Sequence, residues 1–356
     1  MIQSNDYNSG NTEFIFFSLK SNCRSRTRNY FNGMRKKSKS VRWIDCSPND
    51  LIRMSVGKSR GCFREDSRIL VVSSPSHILV FYIFILLQKR PILDAGWPLS
   101  DGVIASRKEY GYFGLTAFKT FLLDFFSFHL SKKVFVESNE QKERVCSNYF
   151  LSPKKVFVVE TGFDEDRFDN VHPKESLRDG AFTSIIFRGG NQVESGLNVL
   201  IQALESNLLD ENTFKFRIIT NSYLEIVKSK LLVDISVSEI SDLDLLKSYQ
   251  KAGISLGQLS KHRRVTWTIP HKFYEAAFLG LVYVSTDHSP FMVELSKQGD
   301  IAVFEGGSLF GLVNLLNDLA ANPSKCHKLS VNLKSTYQRL YSQEVLSRKF
   351  EYYSLF

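Results

Sequence analysis

Short, β-rich apolar runs alternate with helix-patterned stretches along almost the whole chain. That rhythm constrains the fold more than any single residue does. In the first half the runs fall at Glu13–Leu19, Val41–Ile44, Arg68–Val72, Pro91–Asp94, Lys133–Glu137 and Lys155–Val159. Helical spacing fills the gaps near Arg26–Arg35, His77–Gln88, Tyr112–Leu130 and Glu140–Tyr149. Repeated strand–helix–strand units close most simply as a parallel sheet with helices on both faces.

The rhythm breaks once. Gly162 to Thr183, GFDEDRFDNVHPKESLRDGAFT, is charged and rich in turn residues, which marks a linker between two domains. Strands resume at Ser184–Phe187, Phe214–Ile219, Val233–Val237, Gly253–Leu256, Val282–Ser285 and Ile301–Phe304. Helices are expected from Leu197, over Leu243–Ala252 and His271–Leu279, from Leu309 and near Lys328. The expectation is an α/β protein of two doubly wound, Rossmann-like domains facing a central cleft, residues 1–165 and 166–340. A last helical stretch within 341–356 would cross back to the first domain. A length of 356 residues, 43% hydrophobic and 23% charged, is enough to bury two cores. In such folds ligands lie at the carboxyl ends of the strands.

Charge narrows the partners. Lys and Arg exceed Asp and Glu by 46 to 37, and part of the excess lies in Arg24, Arg26, Arg28, Arg35, Lys36, Lys37, Lys39 and Arg42. Such a face favours anions, with an anionic membrane surface as one candidate partner and a solvated surface as the plain alternative. No RNA- or DNA-binding signature accompanies the charge, so nucleic acid is not an expected partner. Five scattered cysteines fit neither zinc nor a redox pair and point to a reducing compartment. Residues 1–13 are polar and unlike a secretory leader. The most apolar run, Ile78–Leu87, is long enough for about 15 Å of helix, roughly half a bilayer core. The expected location is cytoplasmic, peripheral to the inner face of the membrane.

The stretch TIPHKFYEAAFLGLVYVSTD carries the chemistry. Pro270 suits the first turn of a helix, whose exposed N–H groups attract phosphate. Lys272 adds a positive charge there. Glu275, three residues on, shares its face and can accept hydrogen bonds from a vicinal diol such as a ribose. The competing reading is an ordinary surface ion pair on an amphipathic helix.

This stretch resembles the donor-binding segment of family 4 GT-B glycosyltransferases, with Pro270, Lys272, Glu275, Ala276 and Gly280 on the family's P-x-K-x-x-E-A/Y-x-x-x-G pattern. Val134–Phe168 resembles the end of that family's first domain, and Ser184–Glu205 the opening strand, loop and helix of its second. Ile92–Gly102 looks like an acceptor-domain loop. The resemblance covers roughly residues 65–340. It implies sugar transfer from a nucleotide-sugar donor to a glycan or lipid-linked glycan acceptor, with retention, without metal and without a further cofactor. Two departures stand out. Trp267 occupies the place of a glutamate found eight positions before the helix glutamate in many members. Gly190 and Ser195 occupy the places of an arginine and a lysine.

The resemblance implies that Arg188 and Lys272 stabilise the leaving diphosphate and that Glu275 addresses the nucleoside ribose. Gly189 and Gly190 would let the backbone approach the ligand closely, while Arg263, Arg264 and Arg24 are further candidate contacts. Asp94, at the end of a strand before Gly96 and Trp97, is the acceptor-side candidate, with capping of a turn as its alternative. His129 reads as a packed histidine. A catalytically inactive nucleotide- or partner-binding relative is the competing function, kept open by Trp267 and Gly190.

Overall fold

The computed structural model describes residues 12–19, 25–37, 39–55, 63, 65–102, 114–168, 178–179, 182–190, 192–222, 229–237 and 240–356. Two parallel sheets organise the chain. The first contains β1 (Glu13–Ser18), β2 (Val41–Asp45), β3 (Arg68–Ser73), β4 (Ile92–Gly96), β5 (Lys133–Val136) and β6 (Val156–Val158), in the order β2-β1-β3-β4-β5-β6. The second contains β8 (Phe182–Arg188), β9 (Phe214–Ile219), β10 (Leu232–Ser236), β11 (Ile254–Leu256), β12 (Val282–Thr286) and β13 (Ala302–Phe304), in the order β10-β9-β8-β11-β12-β13. A short strand, β7 (Arg178–Asp179), pairs antiparallel with β8. The central strands are apolar on both faces because helices cover both sides.

The strands lie where the alternation places them. Two helices between strands carry a signal that periodicity alone misses. Pro48–Ser55 and Pro290–Lys297 both begin with a Ser-Pro pair. Ser47 Oγ accepts the Asp50 amide at 3.2 Å while Asp50 Oδ2 accepts the Ser47 amide at 2.8 Å, a reciprocal cap. Ser289 caps the second helix through the Met292 amide.

The final helix, Gln343–Leu355, packs on the first sheet although the helix before it, Pro323–Thr336, belongs to the second. Leu346 and Phe350 lie in one core with Phe14, Phe16, Tyr30 and Phe135, whereas Leu333, Tyr337 and Tyr341 lie in a core of the second sheet. Contact with the helix Ser25–Lys36 is close: a Cβ on Gly33 would collide with Ser347 Oγ. Gly162, in the left-handed region at φ +66°, leaves room for Leu346 in the same way.

This packing engages part of the basic cluster. Arg26 is buried against Asp94. Lys37 and Lys39 pair with Glu344 and Glu351 of the final helix at 3.0 and 2.9 Å, Lys36 pairs with Asp166, and Arg42 with Glu13. Lys37 and Lys39 therefore help dock the final helix, while Arg28 and Arg35 stay exposed. Arg24 lies outside the described residues. Among the described residues no helix is long and apolar enough to cross a membrane.

Candidate functional site

Counted from β8, the second sheet reads 3-2-1-4-5-6, so its strand order reverses between β8 and β11. A crevice at the carboxyl ends of those two strands is where a doubly wound sheet accepts a ligand. Arg188 ends β8 there, and Gly257 follows β11. The helix His271–Leu279 starts directly after Pro270, and Gly280 ends it in the left-handed conformation at φ 68°.

Glu275 is the centre of this end. Its Oε1 accepts from Arg188 Nη2 at 2.8 Å and from His271 Nδ1 at 3.1 Å, and its Oε2 accepts from the Tyr249 hydroxyl at 2.6 Å. Burial would raise the pKa of this carboxyl, but the Arg188 guanidinium, assisted by His271 and Tyr249, holds it at about 2. Arg188 answers in kind: burial opposes its charge, Glu275 outweighs that, and its pKa rises.

Lys272 does something different. Its Nζ donates to the Gly257 carbonyl at 2.5 Å and lies 4.5 Å from the centre of the Phe187 ring. Burial, reinforced by Arg188, pushes the ammonium down to about 7. Lys272 and Glu275 are only 7% and 2% exposed, so the surface ion-pair alternative does not apply. Each charge has its own partners, and the lysine ties the end of β11 to the helix.

The glycine loop is knitted into the same end. The Gly189 amide donates to Ile219 O at 3.0 Å, and the Gly190 amide donates to Gln192 Oε1 at 3.1 Å. A Cβ on Gly190 would collide with Asn221, so the nearest requirement for glycine there is the neighbouring strand end. Arg264 pairs with Glu194 of this loop, fastening it to the short turn Arg263–Thr266. Arg263 lies exposed on that turn.

The first domain holds the expected acceptor-side residue in another role. Asp94 is 0% exposed, its Oδ1 accepting from Arg26 Nε at 2.8 Å and its Oδ2 from Thr27 Oγ1 at 2.5 Å. It is the counter-ion of a buried arginine, and no ligand-facing surface remains on it. His129 packs on Phe125 at 4.4 Å between ring centres and bonds Tyr149 O at 2.9 Å, as a packed histidine does.

Between the two sheets runs a seam that sequence reasoning did not identify. Ser138 Oγ donates to the Trp267 carbonyl at 3.1 Å, and the Arg144 guanidinium lies 3.7 Å from the centre of the Trp267 ring. Glu137 is buried beside them and accepts from Thr161 Oγ1 at 3.1 Å. Burial pushes its carboxyl up to about 7, against the pull of Arg26, Thr161 and Arg264. The segment held by this seam leads straight into Pro270 and the Lys272 helix. Among the described residues no group of three or more His, Cys, Asp or Glu side chains gathers as a metal site.

No protein-family model matches the sequence, and no curated protein matches it. Solved structures match the fold. A glycosyltransferase from Rickettsia africae ESF-5 superposes with a TM-score of 0.64 at 14% identity, over 97% of this chain and 99% of that one. Sucrose-phosphate synthase from Thermosynechococcus elongatus gives 0.66 at 10% identity, over 96% and 98%. HepE of Anabaena, solved in complex with UDP, gives 0.64 at 10% identity over the same shares.

The chain has the GT-B fold. Its two sheets are the two Rossmann-like halves of that fold, and the Arg188–Glu275 cluster sits at the switch point of the second half. Of the expected site residues, this GT-B chain brings Arg188, Gly189, Gly190, Pro270, Lys272 and Glu275 to one end of one sheet, with Arg264 joined through Glu194. Asp94 belongs to the other half. The residues sequence reasoning missed, Tyr249, His271 and Glu194, read in the sequence as a core aromatic, a helix neighbour and a loop charge. Only the folded geometry gathers them.

Proposed function

We propose that the protein is a glycosyltransferase that moves a sugar from a nucleotide-sugar donor to a glycan or lipid-linked glycan acceptor, with retention and without a metal at the reacting centre. One observation carries the reading. A guanidinium fixed by a buried carboxylate stands at the switch point of a Rossmann-ordered sheet, beside the start of a helix, in a GT-B fold.

The chemistry follows from that placement. Breaking the bond to the donor sugar leaves negative charge on the departing diphosphate. A cation already fixed in place stabilises that charge without reorganising as it forms, and unpaired N–H groups at a helix start act in the same direction. In this reading the chain to residue 165 is the acceptor side, 166–340 is the donor side, and the final helix completes the acceptor side. The loop at Gly189 and Gly190 and the turn at Arg263 and Arg264 border the donor. Exposed Leu115, Phe118 and Phe126 on one helix of the first domain supply apolar surface for the lipid of a lipid-linked acceptor.

The test is release of nucleoside diphosphate from a panel of nucleotide sugars offered with glycan and lipid-linked acceptors. Product anomers are assigned by NMR, and activity is compared with and without chelator. Activity in the wild type and its loss in Arg188→Met is the expected result. A second reading, a catalytically inactive nucleotide-binding relative, is favoured by the internally engaged Gly189 and Gly190 amides and by the buried Asp94. Nucleotide binding without release from any donor would select it.

A further inference from the structure

Two tiers of side chain meet at the carboxyl ends of β8 and β11. Arg188 and His271 form the outer tier, with 30% and 28% of their side chains exposed, while Glu275 behind them keeps only 3%. Tyr249 is buried beside the carboxylate. A carboxylate offers about four acceptor directions. Here Arg188, His271 and Tyr249 take up three of them. A vicinal diol, which needs two, would have to displace a donor already held in place, two of them on one oxygen. Glu275 is therefore not an open acceptor for a ribose.

Arg188 has the opposite balance. A guanidinium carries five N–H donors, and among the described residues Arg188 donates one hydrogen bond, to Glu275. The pairing holds the group against the carboxylate while 30% of the arginine side chain stays exposed. His271 is aimed by the same carboxylate. Its Nδ1 faces Glu275, which assigns the hydrogen to that nitrogen and turns the opposite ring edge away from the carboxylate. The Tyr249 hydroxyl closes the back of the arrangement, on the other oxygen.

We propose that Arg188 and His271 are the groups that meet the anionic part of the ligand, a diphosphate, and that Glu275 and Tyr249 are positioning residues that aim them. This rests on the nucleotide-sugar reading above and replaces the expected direct contact between Glu275 and a ribose. The carboxylate acts through the arginine, and the tyrosine acts through the carboxylate.

The experiment is calorimetric titration of the full chain with UDP, ADP, GDP and inorganic pyrophosphate, each variant's fold checked by its melting curve. Arg188→Lys keeps the charge but loses the planar fork, and diphosphate affinity should fall about tenfold or more. Tyr249→Phe removes a hydroxyl that lies behind the carboxylate, and affinity should still fall, by about three- to tenfold. In the Arg188→Lys background Tyr249→Phe should have no further effect, because residues acting through one another are not additive. Glu275→Gln, which keeps the size of the other positioning side chain, carries the same test if Tyr249→Phe folds poorly. Unchanged affinity in Tyr249→Phe, or full additivity with Arg188→Lys, overturns the positioning role. Binding of pyrophosphate but of no nucleoside diphosphate keeps this inference and removes the nucleotide reading. Binding of neither removes both.

Discussion

The two halves of the molecule place the same chemical pair at comparable points and use it differently. In the first half Arg26 and Asp94 are 2% and 0% exposed, and the guanidinium is also bonded by Thr161. In the second half Glu275 is as deeply buried as Asp94, but Arg188 keeps 30% of its side chain in solvent. A pair with both partners sealed from solvent is scaffold. A pair whose carboxylate is sealed and whose cation faces outward is a site with a fixed charge. The contrast teaches that residue type and position at a strand end do not separate the two roles; the share of the cation left to solvent does.

The largest expected effect tests the scaffold half. Asp94→Ala leaves the Arg26 charge buried and unpaired, a loss of about 3–5 kcal/mol where one partner of a buried pair is removed. Urea unfolding should show it. A loss under about 1 kcal/mol would mean that Arg26 reaches water, and the contrast would collapse.

Next comes pH. The Glu137 carboxyl, near the seam in the first half, is raised to about 7 by burial. The unfolded chain loses that proton near pH 4.3 and the folded chain keeps it to about 7, so this contribution falls as pH rises across that window. Lys272 in the second half is lowered to about 7. The unfolded chain holds that proton up to about pH 10.4, so this contribution grows as pH rises above 7. Asp124, also raised to about 7 by burial, shares the first window. Glu137→Gln should therefore remove part of the slope below pH 7, on the order of 3 kcal/mol across the window, and leave the slope above it. A Gln variant with an unchanged stability profile from pH 4.5 to 7 would show that Glu137 stays ionised in the fold.

The third effect is on binding. Arg188→Met leaves Glu275 with His271 and Tyr249 and should weaken nucleoside diphosphate binding by about 1.5–3 kcal/mol, the range for a hydrogen bond to a charged group. Arg26→Met should instead unfold the protein more readily and bind normally in whatever fraction remains folded. Equal loss of affinity in both would erase the distinction between site and scaffold.

The smallest concerns the docked final helix. Lys39→Ala removes a partly exposed pair with Glu351 and should cost under about 1 kcal/mol, an amount that shrinks in high salt. A larger, salt-insensitive loss would move that pair into the scaffold class.

Much of the fold was legible because parallel strands buried on both faces leave dense apolar runs, and the helices between them leave their own period. The Ser-Pro helix starts at Ser47 and Ser289 were equally visible, but the helices are short and their apolar faces narrow. The site was legible only in part. Pro270, Lys272 and Glu275 lie on one local segment, and their spacing invites the idea that the two charges work together. Their real partners come from elsewhere: Arg188 is 87 residues from Glu275, and Tyr249 is 26. Asp94 shows the same limit. An aspartate at a strand end before a glycine looks alike whether it faces a ligand or a buried arginine 68 residues away.

The final helix has a consequence for how the protein is made. Domains generally fold as units during synthesis, N-terminal first, as residues emerge at about 5–20 per second. Here the first half cannot finish in that order. Phe14, Phe16, Tyr30 and Phe135 wait for Leu346 and Phe350, which are translated after every strand of the second sheet. While the second half is being synthesised, the first carries an open apolar face. Removal of the helix Gln343–Leu355 would therefore be felt in the first half, as an aggregation-prone sheet face rather than a shortened second half.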